Sequence, residues 1–228
     1  MKKFKNVATL ILVLSVVFIS CDGNDDFNDT TPVTDPSNFE LNGILESDKT
    51  LNPSQDYTLT GSYIVKSGVT LTIPAGTQII SEVSTSNYIA IEKGAEINIQ
   101  GTASLPVVMK SSAGNQGDWG GLVILGDALT TEGVNATAEV GGFVYGGTNT
   151  SDSSGNINYL VIKNAGAQIN ADSQYNGLTL YAVGSGTSIN NVALVDGADD
   201  GVEFFGGSVS ITNLYAENNQ DDSVDWTE

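Results

Sequence analysis

Two adjacent pairs of aspartates, Asp199-Asp200 and Asp221-Asp222, stand 22 residues apart, and Asn176 occupies the corresponding place in an earlier segment. Each pair opens the same kind of stretch, Asp199-Asp-Gly-Val-Glu-Phe204 and Asp221-Asp-Ser-Val-Asp-Trp226. On neighbouring strands about 4.8 Å apart, four carboxylates would meet at one turn. Two unit charges ~5 Å apart repel by about 3 kcal/mol at an effective dielectric of 20. A bound cation removes that cost, and a raised carboxylate pKa reduces it. Asp199, Asp200, Asp221, Asp222 and the Asn176 carbonyl are all oxygen donors, which suits a hard ion such as Ca²⁺; transition metals want His or Cys. A plainer role stands beside this one, since Asp and Asn accept left-handed backbone and hydrogen-bond turns.

What positions these groups is a repeat. Ile189-Asn-Asn-Val192 matches Ile211-Thr-Asn-Leu214 at the same spacing of 22 as the aspartate segments. An earlier copy, Ile157-Asn-Tyr-Leu160 with Asn176-Gly-Leu-Thr-Leu180, fits once an insertion is placed between Lys163 and Tyr175. Short apolar alternations such as Val69-Thr-Leu-Thr-Ile73 and Ile97-Asn-Ile99 recur between Gly, Asn and Asp clusters from Tyr57 onward, with no helical period. A fixed period near 22 without helices predicts an all-β solenoid, the right-handed parallel β-helix, each coil pairing with the coils above and below. The alternation stacks Leu178, Val202 and Val224 in one inward column and Leu180, Phe204 and Trp226 in another. Thr179, Glu203 and Asp225 then point outward, placing Glu203 and Asp225 where a ligand could meet them. Trp119, among glycines, could stack on a sugar ring or pack a coil corner. Glu228 follows directly on a coil motif, so further C-terminal coils are expected.

Composition narrows the chemistry. The chain holds 27 acidic against 8 basic residues and no histidine. All the basic residues are lysines. Histidine-dependent triads and zinc sites are therefore excluded, and nucleic acid is an unfavourable partner without arginine clamps. The 26 glycines exceed the usual ~7% and agree with a turn-rich β fold.

Lys2, Lys3 and Lys5, the apolar run Val7 to Ile19, then Ser20 and Cys21 read as a secretory signal too short to span a bilayer. Phe18-Ile-Ser-Cys21 resembles a lipobox, which makes Cys21 the expected lipidation site and the membrane a partner through its anchor. Cleavage there leaves 27 acids, five lysines and no other cysteine, so no disulfide supports the fold. Asp22, Asp25, Asp26 and Asp29 resemble the signal that sends lipoproteins of the Bacteroidota to the outer face of the outer membrane. Asp29-Thr-Thr31 resembles the O-glycosylation sequon of that phylum. The expected organisation is a signal peptide at 1–20, an acidic tether and N-terminal cap at 21–56, and the β-helix at 57–228.

Val69-Thr-Leu-Thr-Ile-Pro-Ala-Gly76, Gly117-Asp-Trp-Gly-Gly-Leu-Val-Ile-Leu-Gly126 and the two aspartate segments together resemble the parallel β-helix lipoproteins and secreted surface proteins of Bacteroidota. The resemblance implies a cell-surface module that binds extracellular polysaccharide or other surface components, or a spacer for a further domain. Asp199-Asp-Gly-Val202 also resembles the Asp-Asp-Cys-Ile turn of polygalacturonase-type hydrolases, whose carboxylates protonate the leaving oxygen and activate water. The histidine and the Arg-Lys motif of those enzymes do not occur here. No catalytic set is therefore assigned on this chain; the alternative reading is a polysaccharide-active hydrolase or lyase of the β-helix class whose set is completed by the further C-terminal coils expected.

Overall fold

The computed structural model describes residues 39–171 and 173–227. The expected signal peptide, Cys21 and most of the tether lie outside these residues. Among them, the strands in chain order are β1 (Glu40–Leu45), β2 (Lys49–Thr50), β3 (Asp56–Val65), β4 (Thr70–Pro74), β5 (Gln78–Ser81), β6 (Ile89–Ile91), β7 (Glu96–Gln100), β8 (Val107–Ser111), β9 (Leu122–Leu125), β10 (Ala136–Thr137), β11 (Val144–Tyr145), β12 (Gly155–Lys163), β13 (Leu178–Tyr181), β14 (Ser188–Val195), β15 (Val202–Phe205), β16 (Ile211–Glu217) and β17 (Val224–Thr227). No α-helix occurs among the described residues. Every pairing of the large sheet is parallel, and only β10 and β11 form a separate antiparallel pair. The architecture is a parallel β-helix, as the repeat predicts.

Three strand faces follow one another around each coil. The first holds β2, β4, β7 and the N-terminal halves of β12, β14 and β16. The second holds β5, β8 and the C-terminal halves of β12, β14 and β16, with the start of β3. The third holds the end of β3, then β6, β9, β13, β15 and β17. Because side chains alternate along a strand, β4 buries Leu71 and Ile73 and turns Thr70 and Thr72 outward, and β7 buries Ile97 and Ile99 beside Glu96 and Asn98. In-register pairing then makes continuous columns, the clearest being Ile73, Ile99, Ile157, Ile189 and Ile211. The two columns read from the repeat also pair in register, Leu178 on Val202 on Val224 and Leu180 on Phe204 on Trp226, but the expected inward Trp226 is 72% exposed on the last described strand.

The structure corrects two expectations. Coil pairing begins at Glu40 rather than Tyr57: β1 pairs with β3, β2 with β4, and Leu41 and Leu51 are fully buried. These strands escaped the pattern because β1 shifts register between Leu41 and Gly43 and β2 is only two residues long. Thr179 is buried, not outward into solvent. The long insertion between β9 and β12 folds back and lays Ala138, Val140 and Tyr145 over Val123, Leu125, Tyr181 and Phe205, a second apolar cluster on the outside of the third face.

The stacked interior carries the stability. Ile97→Ala, inside the main column set, is expected to cost about 2–5 kcal/mol through lost contacts and a residual cavity. Thr72→Ala, one face outward on the neighbouring coil, should stay within about 0.5 kcal/mol. Urea unfolding midpoints of the two variants provide the comparison.

Candidate functional site

The corner between the second and third faces carries the acidic residues. Chains leave the second face through Asn164 (φ 64°), Asp196 (φ 56°) and Asn218 (φ 56°), a left-handed position that Asn and Asp accept. Asn218 Nδ2 donates to Asp196 Oδ1 at 2.7 Å, tying two of these turns together. The chain then runs through Asp199-Asp200 or Asp221-Asp222 into β15 or β17. Main-chain bonds from Gly177 N to Asp200 O and from Gly201 N to Asp222 O hold successive turns in register. Gly121 (φ 78°) lets the preceding coil pass beneath Asn176, since a Cβ there would stand 2.2 Å from the Asn176 carbonyl oxygen.

Two carboxylate groups result, and they share Asp200. Oxygens of Asp199, Asp200 and Asp221 lie within 4.8 Å of one another, and so do oxygens of Asp200, Glu203 and Asp225. Asp222 is the expected member that joins neither group; its backbone N–H instead donates to Asp200 Oδ1 at 2.8 Å. Asn176 is buried, and its Nδ2 donates to Glu203 Oε2 at 2.7 Å. Its Oδ1 is buried with no donor. Glu203 and Asp225, read from the sequence as outward ligand contacts, thus sit within the acidic groups themselves.

Among the described residues, no lysine forms an ion pair with these carboxylates. The ion pairs among the described residues, Lys66–Glu92 at 2.5 Å and Lys93–Asp127 at 3.3 Å, lie elsewhere. Burial, reinforced by Asp200, Asp221 and Asp225, raises Asp199 to about 6. Burial also raises Asp200, against the opposing pull of the Asp222 amide. Glu203 rises to about 7, chiefly by burial; the Asn176 amide opposes this, while Asp200, Asp225 and Glu139 add repulsion.

Glu139 belongs to the insertion over the third face, where a cleft of about 490 Å³ is lined by Glu132, Glu139, Tyr145, Tyr181 and Phe205. Its floor is aromatic: Tyr181 stacks on Phe205 with ring centroids 4.2 Å apart. The sequence reading missed these residues because the insertion has no counterpart in other coils. Of the two places the sequence allows Trp119, the structure takes the coil corner and overturns the ligand contact. Trp119 is fully buried with Nε1 donating to Lys163 O at 2.8 Å, so it packs a coil corner and has no ring face for a sugar.

Stacked parallel coils, with an acidic corner and an aromatic-floored cleft beside it, define a parallel β-helix protein. The family model described as pectate-lyase like beta helix domain matches residues 43–228, and the chain belongs to that family. No match was found among curated proteins or among solved structures.

The raised carboxyls set a pH dependence. The folded chain holds protons on Glu203 and Asp199 that the unfolded chain releases at lower pH, so stability falls as pH rises from about 4 through about 7. In metal-free buffer, thermal melts should therefore show a lower midpoint at pH 8 than at pH 5. Glu203→Gln, which keeps the shape without the charge, should shrink that difference.

Proposed function

We propose that this β-helix is an extracellular binding module whose acidic corner holds a divalent cation, calcium by preference, and receives glycan there. The observation that carries the reading is the convergence of Asp200, Glu203 and Asp225 with no lysine partner among the described residues, beside an Asn176 oxygen that lacks a donor there. A hard cation supplies what both need, since it neutralises the carboxylates and accepts the amide oxygen as a ligand. Asp200 would bridge the two groups, Asp199 and Asp221 would serve one side, and Glu203 and Asp225 the other. Bound there, the ion would offer open positions to carboxylate or hydroxyl oxygens of a polysaccharide lying in the cleft. Cys21, outside the described residues, is proposed to anchor the module by lipid, with the acidic stretch behind it directing the protein to the outer face of the outer membrane.

A second reading rests on Glu203. A carboxyl raised to about 7, with an Asp225 oxygen within 4.8 Å, is the kind of group that donates the proton in glycoside hydrolysis. Turnover of a polysaccharide by the whole protein, abolished by Asp200→Asn, would favour that reading over binding. Neither binding nor turnover would leave a spacer.

Calcium titration of the chain by calorimetry is expected to show saturable binding and a raised melting temperature. Asp200→Asn should weaken binding by at least about tenfold, because both groups lose their shared member. Asp222→Asn should weaken it far less, since that carboxylate joins neither group. Equal losses in the two variants would return the aspartates to turn chemistry. For the anchor, Cys21→Ala is expected to move the protein from the membrane fraction to the soluble fraction and to abolish labelling by radioactive palmitate.

A further inference from the structure

The corner between the first and second faces carries no charge cluster, and it departs from the repeat at one residue. β12, β14 and β16 each turn from one face to the next through a single left-handed residue: Tyr159 (φ 48°), Asn191 (φ 55°) and Asn213 (φ 58°). Asn is suited to that backbone, whereas a bulky aromatic residue there is an outlier that the surrounding structure must hold in place. Gly101 is what holds it, because the preceding coil passes so close that a Cβ on Gly101 would stand 2.3 Å from Tyr159 O. That preceding coil makes the same corner with a wider turn, closed by hydrogen bonds between Thr102 and Leu105, and the turn stands out as a wall.

A groove of about 350 Å³ lies against this wall. Ala103 and Pro106 form one end, and Tyr159 and Tyr215 supply aromatic surface. Its floor is the outward column of the second face, Val161 on Ala193 on Tyr215. Tyr215 is 56% exposed, and its hydroxyl donates to Glu217 Oε2 at 2.6 Å, which fixes the ring. Along the corner an amide chain runs from Asn213 Nδ2 to Asn191 Oδ1 at 3.0 Å and from Asn191 Nδ2 to Asn158 Oδ1 at 2.8 Å. No charged side chain lines the groove, in a chain with 27 acids.

We propose that this groove is a binding site for a neutral, hexose-based glycan, with sugar rings against Tyr159 and Tyr215 and hydroxyl edges on Asn191 and Asn213. A pyranose ring presents an apolar C–H face and a rim of hydroxyls, which tyrosine faces and amide donors and acceptors complement. Uncharged lining spares the ligand a desolvated charge, and the acidic chain around it repels anionic polymers. Three inter-coil steps of about 4.8 Å span the groove, a length of about 14 Å that fits a short oligosaccharide better than a single ring. This site lies at a different corner from the carboxylates and does not depend on the cation proposed there.

The test is calorimetric titration of the full chain with neutral oligosaccharides of β-1,4-glucose, β-1,4-mannose and α-1,4-glucose, in EDTA, with oligogalacturonate as the charged control. At least one neutral oligosaccharide is expected to bind, and Tyr215→Ala is expected to weaken it at least about tenfold. Tyr159→Asn, which restores the residue type of the next two coils, should weaken binding as well while leaving the melting temperature unchanged or higher. A stabilised fold with a lost ligand is an outcome that a purely structural tyrosine would not produce. The proposal is overturned if no neutral oligosaccharide binds, if binding survives Tyr215→Ala, or if oligogalacturonate binds as well as the neutral chains. Should the Tyr159 variant fail to fold by circular dichroism, the Tyr215 variant decides alone. Because EDTA is present throughout, failure of the calcium site leaves this result unaffected, and failure here leaves calcium binding unaffected.

Discussion

The strands of the large sheet spend their backbone hydrogen bonds on neighbouring coils, all in parallel and nearly all in register. That single constraint fixes the rest of the molecule. Parallel in-register pairing puts each residue over its counterpart about 4.8 Å away, so whatever a position holds, it holds as a column. Isoleucines at Ile73, Ile99, Ile157, Ile189 and Ile211 become a continuous apolar rod. Asparagines at the corners become amide chains in which each side chain satisfies the next. The chain has no disulfide to fall back on, and this repetition of small favourable contacts takes its place.

The same constraint turns against the fold where the stacked residue is charged. Asp199 over Asp221 and Asp200 over Asp222 cannot separate without breaking the ladders on either side of them. The corner relieves the repulsion locally: the Asp222 amide bonds Asp200, Asn176 bonds Glu203, and the carboxyls shift toward their protonated forms. A module built this way has an acidic corner that favours cations or protons and an uncharged corner with exposed aromatic surface. Neither needs a loop of its own, since both are consequences of which residues occupy the turn positions of successive coils.

Insertions add what columns cannot. The stretch between β9 and β12 interrupts the repeat, covers the outer side of the third face and brings Glu139 toward Glu203. It converts an exposed sheet face into the wall of a cleft and adds the Glu139 charge to those that raise Glu203.

The 22-residue spacing by itself determined the solenoid, the inward columns and the neighbourhood of Asp199, Asp200 and Asp221, because a parallel ladder maps sequence period directly onto spatial contact. It could not show the first coil at Glu40, whose strands are short and shifted, nor the burial of Thr179 and Trp119, which depends on segments far away in the chain. Only the tertiary structure decided that Asp222 turns away while Glu203 and Asp225 join Asp200, and that Tyr159 and Tyr215 share a groove. Those outcomes depend on side-chain direction and on insertions outside the period, and a repeat read along the chain contains neither.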